Sequence, residues 1–257
     1  MRIAVIGAGV MGSGMAQVLA QAGHDVHCTD VAEAVVAKAR ERVTTGRYGF
    51  ERAVERGKLA RADADAALAR LRFGTSLEAA VEGAQLVLEA VPEKLDLKIR
   101  VFRDLDRLAP ADCILASNSS GFPLAALAAA TNRPARVVVW HWASPPAVMK
   151  FAEIVVRPET SPETIETVKQ LARSCGKNPV VVKDNPMAWG YVANRIYAAM
   201  LVEAGRVVAE GTATHAEVNQ LMVDCFGWPV GPFAMVEGAQ KGFSEDGAGS
   251  SGRADSR

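Results

Sequence analysis

The sequence predicts an α/β fold, in which a mostly parallel sheet covered by helices is followed by a smaller all-helical domain. Three observations lead to this prediction. Short apolar runs alternate with longer amphipathic stretches through residues 1–184. The apolar runs are continuous rather than alternating with polar residues, which is typical of strands buried on both faces. Beyond residue 182 no further strand is expected, and helical patterns replace the alternation.

Each element is assigned from its apolar pattern. Strands are expected at residues 3–6, 26–29, 86–89, 114–116, 137–140, 154–156 and 180–182. Helices are expected at residues 11–22, 32–42, 94–108, 163–174 and 191–211, and at 215–227, with Gly227 as the stop. The domains are therefore placed at residues 1–184 and 185–241, and the Gly/Ser-rich tail at 242–257 is expected to be disordered.

Charge and composition narrow the classes of function. Basic and acidic residues balance at 29 each, so no excess of charge points to nucleic acid as a partner. The four cysteines lie far apart, without metal-ligand or disulfide spacing, which favours a reducing cytoplasm and no metal site. The sequence shows no leader peptide and no apolar run of about 18 residues, so neither export nor a membrane span is expected.

The first predicted strand leads into the run IGAGVMGSG, which places Gly7, Gly9 and Gly12 in a GxGxxG pattern. In such a turn the first glycine permits a tight bend and the second lets the backbone approach a pyrophosphate. The third glycine lets the helix pack on the strand. The amides of Val10 and Met11 then lie at a helix N-terminus, where phosphate oxygens bind. The pattern predicts a Rossmann-type dinucleotide site, and the alternative is a structural glycine-rich turn.

Asp30 ends the second predicted strand, at the spacing expected of the residue that binds the adenosine ribose. A carboxylate there accepts hydrogen bonds from the ribose hydroxyls and repels a 2′-phosphate, and no arginine follows closely. NAD is therefore the expected cofactor, in preference to NADP. The alternative is that Asp30 only caps the helix that is predicted from residue 32.

Several segments together resemble the L-3-hydroxyacyl-CoA dehydrogenase family. They are the glycine-rich turn, LVLEAVPEKLDLK, ILASNSS, the 141–153 segment with VMK inside it, VKDNP, YVANR and GWPVGPF, in this order over residues 1–236. The combination is much more specific than any one of these motifs. The resemblance implies an NAD-dependent enzyme that converts a 3-hydroxyacyl-CoA into the 3-oxoacyl-CoA, as in fatty-acid metabolism.

The resemblance also implies a histidine–glutamate pair, carried here by His141 and Glu153 on successive predicted strands. Histidine titrates near neutral pH, so His141 can accept the proton of a hydroxyl group and return it in the reverse reaction. Glu153 is expected to hydrogen-bond the other ring nitrogen, which fixes the tautomer and stabilises the imidazolium. The alternative is a structural histidine with an ordinary glutamate at a strand edge.

The other residues that the resemblance implies are polar. Ser120 matches the serine that hydrogen-bonds the substrate oxygen near the nicotinamide, and Asn194 matches the asparagine that polarises this oxygen. Glu93 and Lys98 match positions beside the cofactor. The alternatives are a serine-rich turn for Ser120, an amide at a helix start for Asn194, and an exposed charge pair for Glu93 and Lys98.

Three features depart from the family pattern. Ser144 stands where the family run H-x-x-N-P has an asparagine that helps to hold the cofactor, and serine offers a shorter side chain with one donor. The segment from Asp184 to Asn194 is about three residues longer than the usual D-x-P-G-F-x-x-N-R. Residues 43–59 are expected to form the helical arm that contacts CoA, but the arm's family serine and lysine have no clean counterparts here.

The second domain is expected to be short, with about two long helices after residue 184. Two helices cannot cover both of their apolar stripes, so a homodimer is expected. Two other functions stay open. An NAD-dependent dehydrogenase of a free hydroxy acid, of the sugar-acid or carnitine type, is favoured by the prolines after His141. A cofactor-binding protein without turnover is favoured by Ser144 and the short helical domain.

Overall fold

The structure is a computed structural model that describes the backbone of residues 1–245 and the side chains of residues 1–238. Within these residues eight strands form one sheet. They are β1 (Arg2–Ile6), β2 (Asp25–Thr29), β3 (Leu71–Gly74), β4 (Leu86–Glu89), β5 (Ile114–Ser117), β6 (Val137–Trp142), β7 (Phe151–Val156) and β8 (Asn178–Lys183). Of the tail expected to be disordered at 242–257, residues 242–245 continue the last helix, and those from 246 on lie outside the described residues.

The strand order is β3-β2-β1-β4-β5-β6-β7-β8, and every neighbouring pair is parallel except β6 with β7. The chain leaves β1 toward β2 and β3 and then returns to place β4 on the other side of β1. This reversal creates a crevice at the carboxyl ends of β1 and β4, where ligands bind in open parallel sheets. The prediction of a mostly parallel Rossmann-type sheet is confirmed.

Helices cover both faces of this sheet because its central strands are apolar on both sides. They are α1 (Val10–Gln21), α2 (Glu33–Thr44), α3 (Phe50–Glu55), α4 (Arg61–Ala69), α5 (Leu77–Val81), α6 (Leu95–Leu108), α7 (Leu124–Ala128) and α8 (Pro162–Ser174). Leu19 of α1 and Val168 of α8 belong to the core cluster on one face. Phe102 of α6 and Leu127 of α7 belong to the cluster on the other face.

Residues 43–81 contain the expected arm and several elements that were not predicted. The arm expected at 43–59 is divided, since α2 ends at Thr44 and α3 begins at Phe50. A small apolar cluster joins the end of α2, α3 and α4 through Val43, Phe50, Ala64 and Ala67. The edge strand β3 and the short helix α5 follow.

The chain divides into two compact units, the first being Met1–Tyr191 and the second beginning at Val192. The boundary therefore comes a few residues after the position near 184 that was expected. The described part of the second unit consists of the helices α9 (Ala193–Ala209), α10 (His215–Phe226) and α11 (Pro232–Glu245). None of the described helices is long and apolar enough to cross a membrane.

The second unit has a third long helix, so the expectation of about two was wrong. Glycines at 238 and 242 weaken the helical pattern of α11, since glycine costs about 1 kcal/mol in a helix interior. Pro232 nevertheless suits the first turn of a helix, where its missing N–H is not needed. The preceding stop at Gly227 is present as expected, with a left-handed φ of 65° at the end of α10.

Candidate active site

The glycine-rich turn joins β1 to α1 at the carboxyl edge of the sheet. Gly7 has a φ of +100°, and a Cβ there would lie 2.6 Å from the carbonyl oxygen of Ala90, which follows β4. A Cβ at Gly12 would lie 1.7 Å from the carbonyl oxygen of Gly7. At Gly9, by contrast, a Cβ would meet no described atom within 4 Å. Packing within the protein therefore requires glycine at Gly7 and Gly12, whereas Gly9 leaves open space beside the start of α1.

Asp30 follows β2 at the same edge and holds this turn. One oxygen of its carboxylate, Oδ2, accepts a hydrogen bond of 2.9 Å from the amide of Ala8. The N-cap of α2 is Ala32, so the alternative that Asp30 caps this helix is wrong. The half-buried carboxylate thus lies beside the glycine-rich turn.

A buried ion-pair network lies next to this turn, at the end of β4 and the start of α6. The side chain of Lys98 is 1% exposed, and its Nζ lies 2.8 Å from Oε1 of Glu89 and 3.1 Å from Oε2 of Glu93. The alternative of an exposed charge pair therefore fails for Lys98, whereas the side chain of Glu93 is 35% exposed. Burial raises the pKa of the Glu89 carboxyl, against the opposing effect of the Lys98 ammonium.

The same network holds the loop that follows β5. Ser117 Oγ donates to Oε2 of Glu89 at 2.6 Å. Oε1 of Glu93 accepts hydrogen bonds from Ser119 Oγ at 2.6 Å and from the amide of Ser120 at 2.9 Å. Glu93, which is itself paired with Lys98, therefore holds the backbone of Ser120 in place. The sequence analysis missed Glu89, Ser117 and Ser119, although the serine-rich run offered a signal for the two serines.

His141 and Glu153 face each other across the antiparallel pair of β6 and β7. The imidazole Nδ1 lies 3.1 Å from Oε2 of Glu153, and both side chains are buried. The rings of Phe151 and Tyr191 contact the imidazole edge-on, with centroids at 5.2 and 6.0 Å. Because β6 is parallel to β5, His141 lies at the carboxyl edge of the sheet, like the glycine-rich turn.

Tyr191 completes the surroundings of the histidine and was not singled out from the sequence. Its hydroxyl donates to the carbonyl oxygen of Phe122 at 2.7 Å. Burial raises the pKa of this phenol further above its ordinary value, and the neutral hydroxyl group is the donor of this hydrogen bond. Asn118 adds a further contact, since its Oδ1 accepts a 2.9 Å hydrogen bond from the amide of Trp142. The loop after β5 is thereby tied to the end of β6.

Ser144 lies in the loop between β6 and β7, which a buried lysine holds in place. Nζ of Lys177 donates to the carbonyl oxygens of Pro146 and, at 2.6 Å, Met149. The same ammonium lies 4.9 Å from the ring centroid of Trp142. Burial lowers the pKa of Lys177. The sequence gave no signal for this role, because a single lysine after a helix is normally solvated.

Asn194 is the second residue of α9 and belongs to the second unit, whereas every other candidate site residue belongs to the first. The structure therefore brings together the glycine-rich turn, Asp30, Glu93, Lys98 and Ser120, and the His141–Glu153 pair, at one edge of one unit. No group of three metal-ligating side chains occurs among the described residues.

A cavity of about 170 Å³ in the first unit lies away from these residues. Its lining includes Arg2, Asp25 and Arg70, at the amino ends of β1, β2 and β3. The glycine-rich turn and His141 lie at the carboxyl ends of parallel strands, which is the opposite edge. The cavity is therefore not part of the candidate site.

Comparison with known proteins identifies the family. Residues 2–185 match the family described as "3-hydroxyacyl-CoA dehydrogenase, NAD binding domain", and residues 190–248 match its C-terminal domain. The chain belongs to the 3-hydroxyacyl-CoA dehydrogenase family. The resemblance inferred from the motifs is thus confirmed, together with NAD as the cofactor of the first domain.

Individual members of the 3-hydroxyacyl-CoA dehydrogenase family align along most of the chain. The "Probable 3-hydroxybutyryl-CoA dehydrogenase" of Bacillus subtilis is 38% identical over 240 residues, which are 92% of this chain and 80% of that protein. The mitochondrial hydroxyacyl-coenzyme A dehydrogenase of Sus scrofa is 33% identical over 91% of this chain and 74% of its own length. The solved (S)-3-hydroxybutyryl-CoA dehydrogenase of Ralstonia eutropha has a TM-score of 0.85 at 33% identity, covering 95% of this chain and 84% of that one.

The glycine-rich turn has the features that binding of the NAD pyrophosphate requires. The start of α1 presents backbone amides, and the open space at Gly9 admits a phosphate close to the backbone. Val10, Met11 and Gly12 provide the first amides of α1.

Two glycine substitutions test this arrangement. Gly9→Ala should raise the Kd of NADH by about tenfold or more, equivalent to ~1.4 kcal/mol, because the methyl group fills the space left for the pyrophosphate. It should leave the free energy of unfolding almost unchanged, since no described atom lies within 4 Å of the added methyl group.

Gly12→Ala should impair both NADH binding and stability. Fluorescence titration with NADH and urea unfolding measure the two effects. Unchanged NADH affinity in Gly9→Ala would contradict the placement.

Proposed function

We propose that this protein catalyses the NAD-dependent oxidation of a 3-hydroxyacyl-CoA to the 3-oxoacyl-CoA, and the reverse reduction. The observation that carries the proposal is the buried His141–Glu153 hydrogen bond at the carboxyl edge of the sheet, the same edge as the dinucleotide turn. A buried carboxylate is costly to desolvate, and here it serves to hold and orient the one ring nitrogen that faces it, as an acid–base histidine requires. The family match supports the same chemistry.

The proposed roles follow from hydrogen-bond chemistry. A proton on Nδ1 directed at Glu153 leaves the lone pair on Nε2 of His141, which can then accept the proton of a substrate hydroxyl group. The Glu153 carboxylate stabilises the imidazolium that results. Ser120, whose backbone Glu93 holds, would donate a hydrogen bond to the reacting oxygen. The polarising role of Asn194 is what the family resemblance implies, and it stays a prediction. Bound NAD supplies the acceptor for the hydride that leaves the carbinol carbon.

The turn residues and Asp30 would hold the two halves of NAD. Gly9, Val10 and Met11 would contact the pyrophosphate, and the carboxylate of Asp30 would accept hydrogen bonds from the adenosine ribose. Ser144, in the loop that Lys177 holds, is proposed to take the place of the family asparagine at the nicotinamide end. Its hydroxyl is shorter, so the contact would be weaker.

The substrate is proposed to be a short-chain CoA thioester. Relatives named 3-hydroxybutyryl-CoA dehydrogenase, from Bacillus subtilis and Clostridioides difficile, support a four-carbon acyl group. A free hydroxy acid is the second candidate, since the prolines that follow Ser144 resemble those of dehydrogenases that act on such acids. A relative from Mesorhizobium japonicum, 37% identical, is named as a dehydrogenase of a pyridine carboxylate.

The two substrate classes are separated by comparing NADH oxidation with acetoacetyl-CoA and with free acetoacetate. The expected result is a kcat/KM that is higher for the thioester by roughly two orders of magnitude or more, because remote contacts to CoA contribute to transition-state binding. Equal or higher activity with the free acid would replace the first candidate by the second.

A homodimer is proposed from the surface of the second unit. Ile196 and Val202 of α9 and Leu221 and Phe226 of α10 are exposed, and apolar surface of this kind seeks a partner. Sedimentation at micromolar concentration should give about twice the 27.2 kDa mass of the chain. Leu221→Glu should shift the protein toward the monomer. A wild-type protein that stays monomeric without aggregation would contradict this proposal.

The cytoplasm is the proposed location. Cys28, Cys113, Cys175 and Cys225 are all free, and the first two are buried. Burial raises the pKa of the Cys28 and Cys113 thiols to about 12, which keeps them protonated and unreactive. Buried, inert thiols suit a reducing compartment, where nothing selects for disulfides.

A further inference from the structure

The segment between β8 and Tyr191 contains residues that the family spacing does not require. When the D-x-P part of that spacing is placed on Asp184 and Pro186, its G-F part falls on Gly190 and Tyr191. Three residues then remain between Pro186 and Gly190, namely Met187, Ala188 and Trp189. Two of the three carry large apolar side chains.

Both ends of this segment are fixed to the part of the chain that follows Ser120. At the first end, the Asp184 carboxylate accepts hydrogen bonds from the amides of Leu124 at 3.2 Å and Ala125 at 2.9 Å. At the second end, the amide of Gly190 donates to the carbonyl oxygen of Gly121 at 3.2 Å. The extra residues are therefore held against the loop that carries the candidate serine.

Trp189 packs directly on the residue next to Ser120. A Cβ at Gly121 would lie only 2.6 Å from Cε2 of the Trp189 indole, so a glycine is needed for this contact. Trp189 is nevertheless 57% exposed as a residue, and Met187 is 91% exposed. An apolar surface is thus presented to solvent at the position where the serine loop ends.

The same segment leads into the surroundings of the histidine. Tyr191 comes two residues after Trp189, is 6% exposed, and has its ring centroid 6.0 Å from that of His141. Its hydroxyl group donates a hydrogen bond to the carbonyl oxygen of Phe122, two residues after Ser120. The exposed tryptophan therefore lies beside the serine loop, and Tyr191, two residues later, contacts the imidazole of His141.

We propose that Trp189, with Met187, binds the apolar group that a substrate carries beyond the reacting carbon, so that acyl groups longer than the four-carbon one are accepted as well. This inference rests on the proposed function, because the reacting oxygen is taken to lie at Ser120 and His141. An exposed indole face and a thioether suit a hydrocarbon chain or an aryl ring, since both are adaptable apolar surfaces. They offer neither charge for the CoA phosphates nor several donors for its amides.

The test compares 3-oxoacyl-CoA substrates with four, six and eight carbons in the acyl chain. In Trp189→Ala the kcat/KM for the eight-carbon substrate should fall by about tenfold relative to that for the four-carbon substrate, because a large apolar contact is lost. The change should lie in KM rather than kcat, since the indole does not touch the reacting atoms. Trp189→Phe, which keeps an aromatic surface, should restore most of the loss.

Tryptophan fluorescence gives a second readout that does not need turnover. The eight-carbon thioester should change the emission more than the four-carbon thioester does in the wild type and in Trp228→Phe, the matched control, and this difference should vanish in Trp189→Phe. Trp140 and Trp142, which flank His141, report on the part of the substrate that both thioesters share. Two results together would overturn the inference. They are an unchanged dependence of kcat/KM on chain length in Trp189→Ala, and the same change of emission on thioester binding in Trp189→Phe as in the wild type. If no thioester is turned over, the proposed function fails, and the Trp189 emission still decides whether the apolar group binds here.

Discussion

Replacing His141 by glutamine should lower turnover by roughly 10²- to 10⁴-fold, the range typical of a lost general base. Glutamine keeps a polar side chain of similar size but cannot accept and carry the proton. NADH affinity should change little, because the glycine-rich turn and Asp30 lie at other strands of the sheet. Steady-state NADH oxidation and a fluorescence titration with NADH measure the two quantities on the same preparation.

Glu153→Gln is the matched variant for this experiment. The amide retains the shape of the carboxylate but removes the charge that faces Nδ1 of His141 at 3.1 Å. Turnover should fall by less than in His141→Gln, because the base remains but its tautomer and its imidazolium lose support. Wild-type rates in both variants would show that the pair is structural and that another group takes the proton.

Replacing Lys98 by methionine should lower the free energy of unfolding by about 3–5 kcal/mol, the usual cost of removing one partner from a buried ion pair. The change leaves the buried carboxylate of Glu89 without the ammonium that lies 2.8 Å away. Urea unfolding of both proteins, followed by circular dichroism, gives the difference.

Two controls separate this effect from a general loss of packing. Lys98→Met combined with Glu89→Gln should recover much of the stability, since the uncompensated charge is removed as well. Lys169→Met removes an even shorter contact, 2.6 Å to Glu166, on the solvent-facing side of α8 and should leave stability almost unchanged. Equal losses in Lys98→Met and Lys169→Met would refute the buried network.

The strands and the larger helices of the first unit were predictable because their signals are local. Buried parallel strands such as β4 and β5 are unbroken apolar runs, and α6 has apolar residues at helical spacing. The edge strand β3 escaped prediction, because its four residues include Arg72 and it is only partly buried. The short helices α3 and α5 are stabilised by packing rather than by their own pattern.

The candidate site divides in the same way. The glycine-rich turn and the single histidine at the end of an apolar run are visible in short stretches of sequence, and strand register then brings Glu153 opposite His141. The burial of Lys98 could not be read from the sequence, because a charged residue on a helix is usually solvated. Lys177 holds the loop that contains Ser144 through hydrogen bonds to carbonyl oxygens 28 and 31 residues earlier in the chain. Contacts at this separation cannot be read from a local sequence pattern.

Formation of NADH in a single turnover tests the central claim most directly. Enzyme in excess over 3-hydroxybutyryl-CoA is mixed with NAD, and NADH is followed with time. If the His141–Glu153 pair is the acid–base group of a 3-hydroxyacyl-CoA dehydrogenase, NADH should form rapidly in the wild type and far more slowly in His141→Gln. No NADH formation by a wild-type protein that binds NADH normally, and loses that binding in Gly9→Ala, would contradict the claim and indicate a cofactor-binding protein without turnover.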